Sequence, residues 1–254
     1  MNMVNRYFSS IITVTALFLL VLPAYATKQK GNEVSVTYVQ GTVEAYSAEA
    51  KNGVRLRKND RIAKEKEVRV GEKSRVELRF PDGTIMRLAE NSRLSLNEII
   101  YDRKSEEKSF QVSLALGRIW ANVKKLATTG SAVEVKTVNA IAGVRGTTYQ
   151  VNVDPDESAV VKVYDGTVYV AGQPREMPKP AAQIGGPVQV PGPHEVPPSY
   201  HEVTMDEGLV IVQSMQQISI SPDGIATKPQ SFDAQEDADD WVKWNQERDA
   251  ELKL

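Results

Sequence analysis

Cysteine is absent from all 254 residues, which removes disulfides, thiol nucleophiles and cysteine-based zinc sites together. Burial alone must hold such a chain in its fold. Histidine is nearly absent too: His194 and His201 are the two present, each followed by a glutamate, Glu195 and Glu202. Seven residues apart in a proline-rich stretch, they lack the spacing of a helical H-E-x-x-H and no third ligand is specified, so no metal is expected. A serine or threonine triad would have to recruit one of them, and the chain contains no G-x-S-x-G elbow. Glycine-rich phosphate loops of the P-loop or dinucleotide type are missing as well. These gaps argue against an enzyme and against a bound cofactor, and no catalytic residue is assigned. Long apolar runs are also missing after residue 26, so no later segment is expected to cross a membrane.

The apolar run that does exist sits at the start. Arg6 precedes an apolar stretch from Ile11 to Leu22, Pro23 breaks it, and Ala24-Tyr25-Ala26 follows. A cationic start, a short apolar centre and a small-x-small site describe a signal peptide over residues 1–26. The alternative is that the same stretch is kept as an N-terminal anchor. Either way the rest of the chain is expected outside the cytoplasm, in the periplasm or at the cell envelope.

Charge is close to balanced overall but unevenly placed. Lys51 to Arg79 holds eleven Lys/Arg against five Asp/Glu, whereas Ser231 to Leu252 holds eight Asp/Glu against two Lys/Arg. The acidic tail is able to fold back on the basic body, or the body to meet an anionic surface. Cations of the basic stretch alternate with acids and apolar residues, with no aromatic interleaving for base stacking, so no nucleic-acid partner is expected.

Between Val34 and Val170 the dominant period is two. Val76, Leu78 and Phe80 alternate with Arg75, Glu77 and Arg79; Phe110, Val112 and Leu114 continue the pattern, as do Tyr149, Val151 and Val153. That period gives each strand one core face and one water face. Pro81-Asp82-Gly83-Thr84 and Asp165-Gly166 supply turns between alternating runs. Strands about every ten residues with no helices between them predict a mainly β fold, a sandwich or a short solenoid.

Eight prolines from Pro174 to Pro198 interrupt this pattern. Their density suits an extended strap or linker, set here at residues 173–200. A short β unit is expected over 201–230, carrying Leu209 to Val212, Ile218 and Ile220. An acidic amphipathic helix is expected over 231–254. Asp233 and Glu236 have capping-box spacing there, and Trp241 and Trp244 lie close to one face. Two tryptophans on a short helix either pack on the β body as a cap or form a partner-binding surface.

Ala140-Ile141-Ala142-Gly143-Val144-Arg145-Gly146-Thr147 resembles the AGVRGT signature of the FecR domain. Three further blocks agree in type and order: Val39 to Val43, Leu56 to Leu88, and Val161 to Val170. The resemblance covers residues 34–172 and implies an all-β extracytoplasmic module. In the best-known members that module relays a signal from an outer-membrane receptor to a cytoplasmic sigma factor. Here the signal peptide is expected to lead straight into the β module, and no receptor-contacting C-terminal domain is recognisable. The chain is therefore more similar to stand-alone exported FecR-domain proteins.

The signature also has a physical reading. Gly143 and Gly146 flank Val144-Arg145, so the backbone is expected to bend or to approach another strand closely. Arg145 brings five donors in a rigid fork, suited to stapling neighbouring loops or to contacting a ligand or partner. Gly143, Val144, Arg145, Gly146 and Thr147 are thus the candidate interaction motif, and Trp241 and Trp244 the candidate capping or partner-binding pair. The expected function is a non-enzymatic adaptor that presents its β module to an envelope protein in sensing or signalling. The alternative is a structural module bound to peptidoglycan or another anionic glycan.

Overall fold

Alternating valines, leucines and isoleucines form two β layers that close on one continuous apolar core. The structure is a computed structural model that describes residues 33–48, 50, 52–125, 128–173 and 209–254. The expected signal peptide, most of the proline-rich segment and both histidines lie outside the described residues.

The first layer, sheet A, runs in the order β4 (Arg61–Ala63), β1 (Glu33–Gln40), β6 (Arg75–Arg79), β7 (Ile85–Leu88), β9 (Lys108–Asn122), β12 (Thr148–Val153), β13 (Ala159–Asp165), β16 (Gln216–Ile220) and β17 (Gln230–Ser231). Sheet B runs β3 (Val54–Arg55), β2 (Val43–Ser47), β5 (Lys66–Val70), β8 (Arg93–Tyr101), β9, β10 (Ala132–Lys136), β11 (Ala140–Val144), β14 (Thr167–Gly172) and β15 (Leu209–Gln213). All neighbours are antiparallel except β9 and β10. The two layers share one core and are joined through β9 into a large mixed sheet, with successive hairpins alternating between them.

β9 belongs to both layers. Lys108 to Leu116 pair with β8, and Gly117 to Asn122 pair with β12. Its inward residues change phase on the way, from Phe110, Val112 and Leu114 to Ile119 and Ala121. Gly117 sits at the change with φ +91°, where a Cβ would lie 2.5 Å from Ser92 Cα. A side chain there would meet both left-handed strain and the neighbouring backbone.

Strands β15 and β16 are additions to these same layers: β15 pairs with β14 in sheet B and β16 with β13 in sheet A. Among the described residues the single helix, α1, spans Asp240–Leu252 and starts later than the acidic composition suggested. Asp239, not Asp233, caps it, its Oδ1 accepting from the Val242 amide at 2.8 Å. Asp233 instead closes a local turn with the Gln235 amide, and the backbone before the helix is anchored through Asp237 to Lys162 and Tyr164. Those contacts delay helix entry until 239.

Candidate functional site

The signature lies where two strands reverse. β11 carries Ala140 to Val144 through the middle of sheet B, and β12 begins at Thr148 in sheet A, so Arg145-Gly146-Thr147 is the step between layers. Val144 is buried, pairing with Val133 and Val168. Thr147 is buried too; its Oγ1 donates to the Thr167 carbonyl at 2.9 Å, and its own carbonyl accepts from the Val123 amide at 3.0 Å. Gly146 has φ +75°, and a Cβ on it would lie 2.8 Å from Lys125 Cα. The bend and the close approach are therefore properties of Gly146. Gly143 sits in a regular ladder between Glu134 and Tyr169, where a Cβ would make ordinary contact, 3.9 Å from the Tyr169 carbonyl oxygen.

Neighbouring turns gather around this step. Gly166, of the β13–β14 turn, packs against the Gly146 carbonyl and donates its amide to Ser214 Oγ of the β15–β16 turn at 2.9 Å. On the other side Lys124 lies over Gly83, and its amide donates to Thr84 Oγ1 at 3.3 Å. Lys108, buried beneath, is ion-paired with Asp82 and donates to the Lys124 carbonyl at 3.0 Å. One end of the β body is thus a platform of short turns held by backbone contacts.

Arg145 stands on this platform and is exposed. Among the described residues its guanidinium has no hydrogen bond, ion pair or ring contact, and the same holds for the ammonium groups of Lys124 and Lys125, both exposed. Among the described residues Arg145 staples no neighbouring loop. What the platform offers is a rigid fork of donors flanked by two further cations, the chemistry that binds carboxylates or other oxyanions.

Trp241 and Trp244 fall elsewhere, on the outer face of sheet A. The two indoles stack at 5.5 Å, Trp244 meets Tyr38 at 5.6 Å, and the Arg75 guanidinium lies 4.7 Å from the Trp244 ring centre. The tryptophans thus pack on the β body, and a cross-strand row lies beneath the helix: Tyr38, Glu77, Arg87, Trp120, Gln150 and Lys162 occupy successive strands in register. Arg87 is 0% exposed and Glu77 1%. Arg87 Nε donates to Glu77 Oε2 at 2.8 Å and Nη1 to Asp249 Oδ1 at 2.6 Å, while Trp120 Nε1 donates to the other Asp249 oxygen at 2.9 Å. Arg248 of the helix reaches back to Glu77 at 3.2 Å, and Thr37 donates to Glu77 Oε1 at 2.7 Å. Burial pushes the Glu77 carboxyl up, but the donors from Arg87, Thr37 and Arg248 outweigh it and hold it below its ordinary value. At the other end of α1, Asp239 accepts from Arg118 at 2.6 Å. Burial works against its charge, yet the Val242 amide and Arg118 keep it below the usual carboxylate range. Burial, and then the hydrogen bond to Asp237, raise the Tyr164 phenol well above normal.

Sequence reasoning passed over this row. The signal was an arginine between Met86 and Leu88 and a glutamate between Val76 and Leu78, polar positions that looked like water faces. Among the described residues no group of three His, Asp or Glu is placed to hold a metal ion, and no helix is long and apolar enough to cross a membrane.

Comparison with known proteins places the signature in context. The family described as FecR protein matches residues 66–169, which include the platform and most of the core strands. Among solved structures, two crystal structures of a candidate anti-sigma factor from Parabacteroides distasonis are similar to this chain. They show 20% and 19% identity and a TM-score of 0.44 each, covering 66% of this chain and 61% of theirs. No curated protein matches the chain.

Proposed function

We propose that this chain, with a FecR domain at residues 66–169, is a non-enzymatic extracytoplasmic adaptor that presents its turn platform to an envelope protein in sensing or signalling. One observation carries the reading: Arg145, in the FecR signature, is exposed and has no partner among the described residues. An exposed guanidinium with no partner among the described residues contributes little to folding, whereas it suits contact with an acidic partner surface. The flanking Lys124 and Lys125 extend the same preference. Export is supported by residues 1–26, with their Arg6, apolar run and Ala24-Tyr25-Ala26 site.

Affinity capture tests this. Residues 27–254 are immobilised and exposed to solubilised envelope proteins, with purified peptidoglycan in parallel and an Arg145→Glu variant beside the wild type. The expected result is a discrete protein retained by wild type and lost by the variant at unchanged melting temperature. Retention unaffected by the substitution overturns the reading. Retention on peptidoglycan alone, weakening as salt rises, replaces it with the glycan-bound structural module.

A further inference from the structure

We infer that the outer face of sheet A beneath α1 is a docking platform for an acidic helical segment of a partner protein. Residues 233–254 occupy it in cis as a displaceable stand-in. This surface is separate from the signature turn and stands or falls independently of the reading above.

The contact is ionic to a degree unusual for a permanently packed helix. A helix fixed on a core buries a broad apolar stripe. In α1 the fully buried residues are Val242 and Asn245, one apolar and one polar. Beside the half-buried Trp241 and Trp244, carboxylates make a large share of the contacts. Asp237 meets Lys162 and Tyr164, Asp239 meets Arg118, and Asp249 meets Arg87 and Trp120. Interfaces of this polarity resemble reversible ones more than obligate ones.

The fit is also incomplete. Among the described residues Arg87 Nη2 and Trp241 Nε1 are buried donors without protein partners, and Gln150 Oε1 is a buried acceptor without one. Each is costly in a finished interface. Beside the helix N-terminus a cleft of about 500 Å³ remains, lined by Arg75, Arg118, Asn152 and Trp241 among others. An occupant with one more acceptor near Arg87 and more bulk near Arg118 would fit better than α1 does.

The strand ladders of the two layers do not run through the helix. α1 contributes no strand pairing, and its nearest ladder neighbour, β17, is two exposed residues. If α1 leaves, Arg87 keeps its ion pair with Glu77 inside the body. The uncovered face then presents Arg75, Arg87, Arg118 and Lys162 against the carboxylates of Glu77 and, at the rim of the cleft, Glu90, with Tyr38, Trp120 and Tyr164 between them. Excess cation with interleaved aromatics is complementary to an acidic helix that carries aromatic residues, the composition of the segment already there.

The test uses the full chain and, as probe, a labelled free peptide of residues 233–254. In wild type the cis helix competes and the probe binds weakly. Val242→Lys places a cation against the platform and loosens the chain's own helix, so the probe should bind at least tenfold tighter. Adding Arg118→Glu and Lys162→Glu to that variant should abolish binding. Absence of saturable binding to Val242→Lys, with its β circular-dichroism signal intact, overturns the proposal; so does binding indifferent to the two reversals. Should Val242→Lys fail to fold, hydrogen exchange on wild type decides. Amides of residues 244–252 exchanging well before those of β12 and β13, and faster in added salt, support displacement. Equal protection overturns it.

Discussion

The molecule treats its charges in two opposite ways. Under α1, Arg87, Arg118 and Lys162 each meet a carboxylate, and Glu77 is surrounded by three donors. At the signature turn Arg145, Lys124 and Lys125 meet none among the described residues. The first arrangement contributes to stability and ought to fail when a partner is removed. The second contributes little to stability and ought to fail only when something outside the chain is asked to bind. Burial makes the difference: a charge out of water must be paired, whereas an exposed one is screened and free to serve elsewhere.

The largest effect should come from the buried pair. Glu77→Ala leaves Arg87 with Asp249 as its sole ionic partner, and should cost about 3 kcal/mol, a drop of roughly 10 °C in melting temperature for a domain of this size. Calorimetry that finds no change would dissolve the contrast. Next are the two signature glycines. Gly146→Ala forces a side chain into φ +75° against Lys125 and should cost about 2 kcal/mol. Gly143→Ala makes only ordinary contact with the Tyr169 carbonyl and should stay within about 0.5 kcal/mol. Urea midpoints of the two variants, measured side by side, check this directly.

Smaller again is the helix cap, where Asp239→Ala should cost about 1 kcal/mol. Acid should act on the same region. Glu77 and Asp239 are both held below their ordinary values of 4.5 and 3.8, so the unfolded chain binds more protons than the folded one below those values. Their contribution is full above pH 4.5 and is lost as pH falls through 4.5 and 3.8 toward the lower folded values. Near-ultraviolet circular dichroism of Trp241 and Trp244 should therefore change on acidification before the β signal does. Smallest of all, Arg145→Ala should leave stability within about 0.5 kcal/mol.

Much of the fold was legible because two-residue periodicity is a physical consequence of a half-buried strand. The runs at Val76 to Phe80, Phe110 to Leu114 and Tyr149 to Val153 all lie in strands or at their ends, with their apolar members in the core. Even the crossing of β9 between layers is written in the chain, as an alternation that slips phase around Gly117. Periodicity identifies two faces but cannot say whether the second is wet. Arg87, Glu77 and Trp120 sit on polar-face positions and are buried because a helix more than a hundred residues later covers them. The basic-body, acidic-tail asymmetry pointed to this contact in kind, though the cations that hold the tail's carboxylates are Arg87, Arg118 and Lys162 rather than those of Lys51 to Arg79. Helix entry was misplaced for a related reason. Asp233 and Glu236 have the local spacing of a cap, but the long-range contacts of Asp237 decide where the helix begins.

At the signature, spacing alone could not separate Gly143 from Gly146 or decide what Arg145 faces. Those depend on which turn from a distant hairpin packs against which residue, as Gly166 does against Gly146.

Partner retention by Arg145→Glu, read together with its melting temperature, tests the central claim most directly. The account predicts a variant that melts with the wild type and no longer retains the envelope protein. A variant that melts several degrees lower, or that retains the partner undiminished, would contradict it.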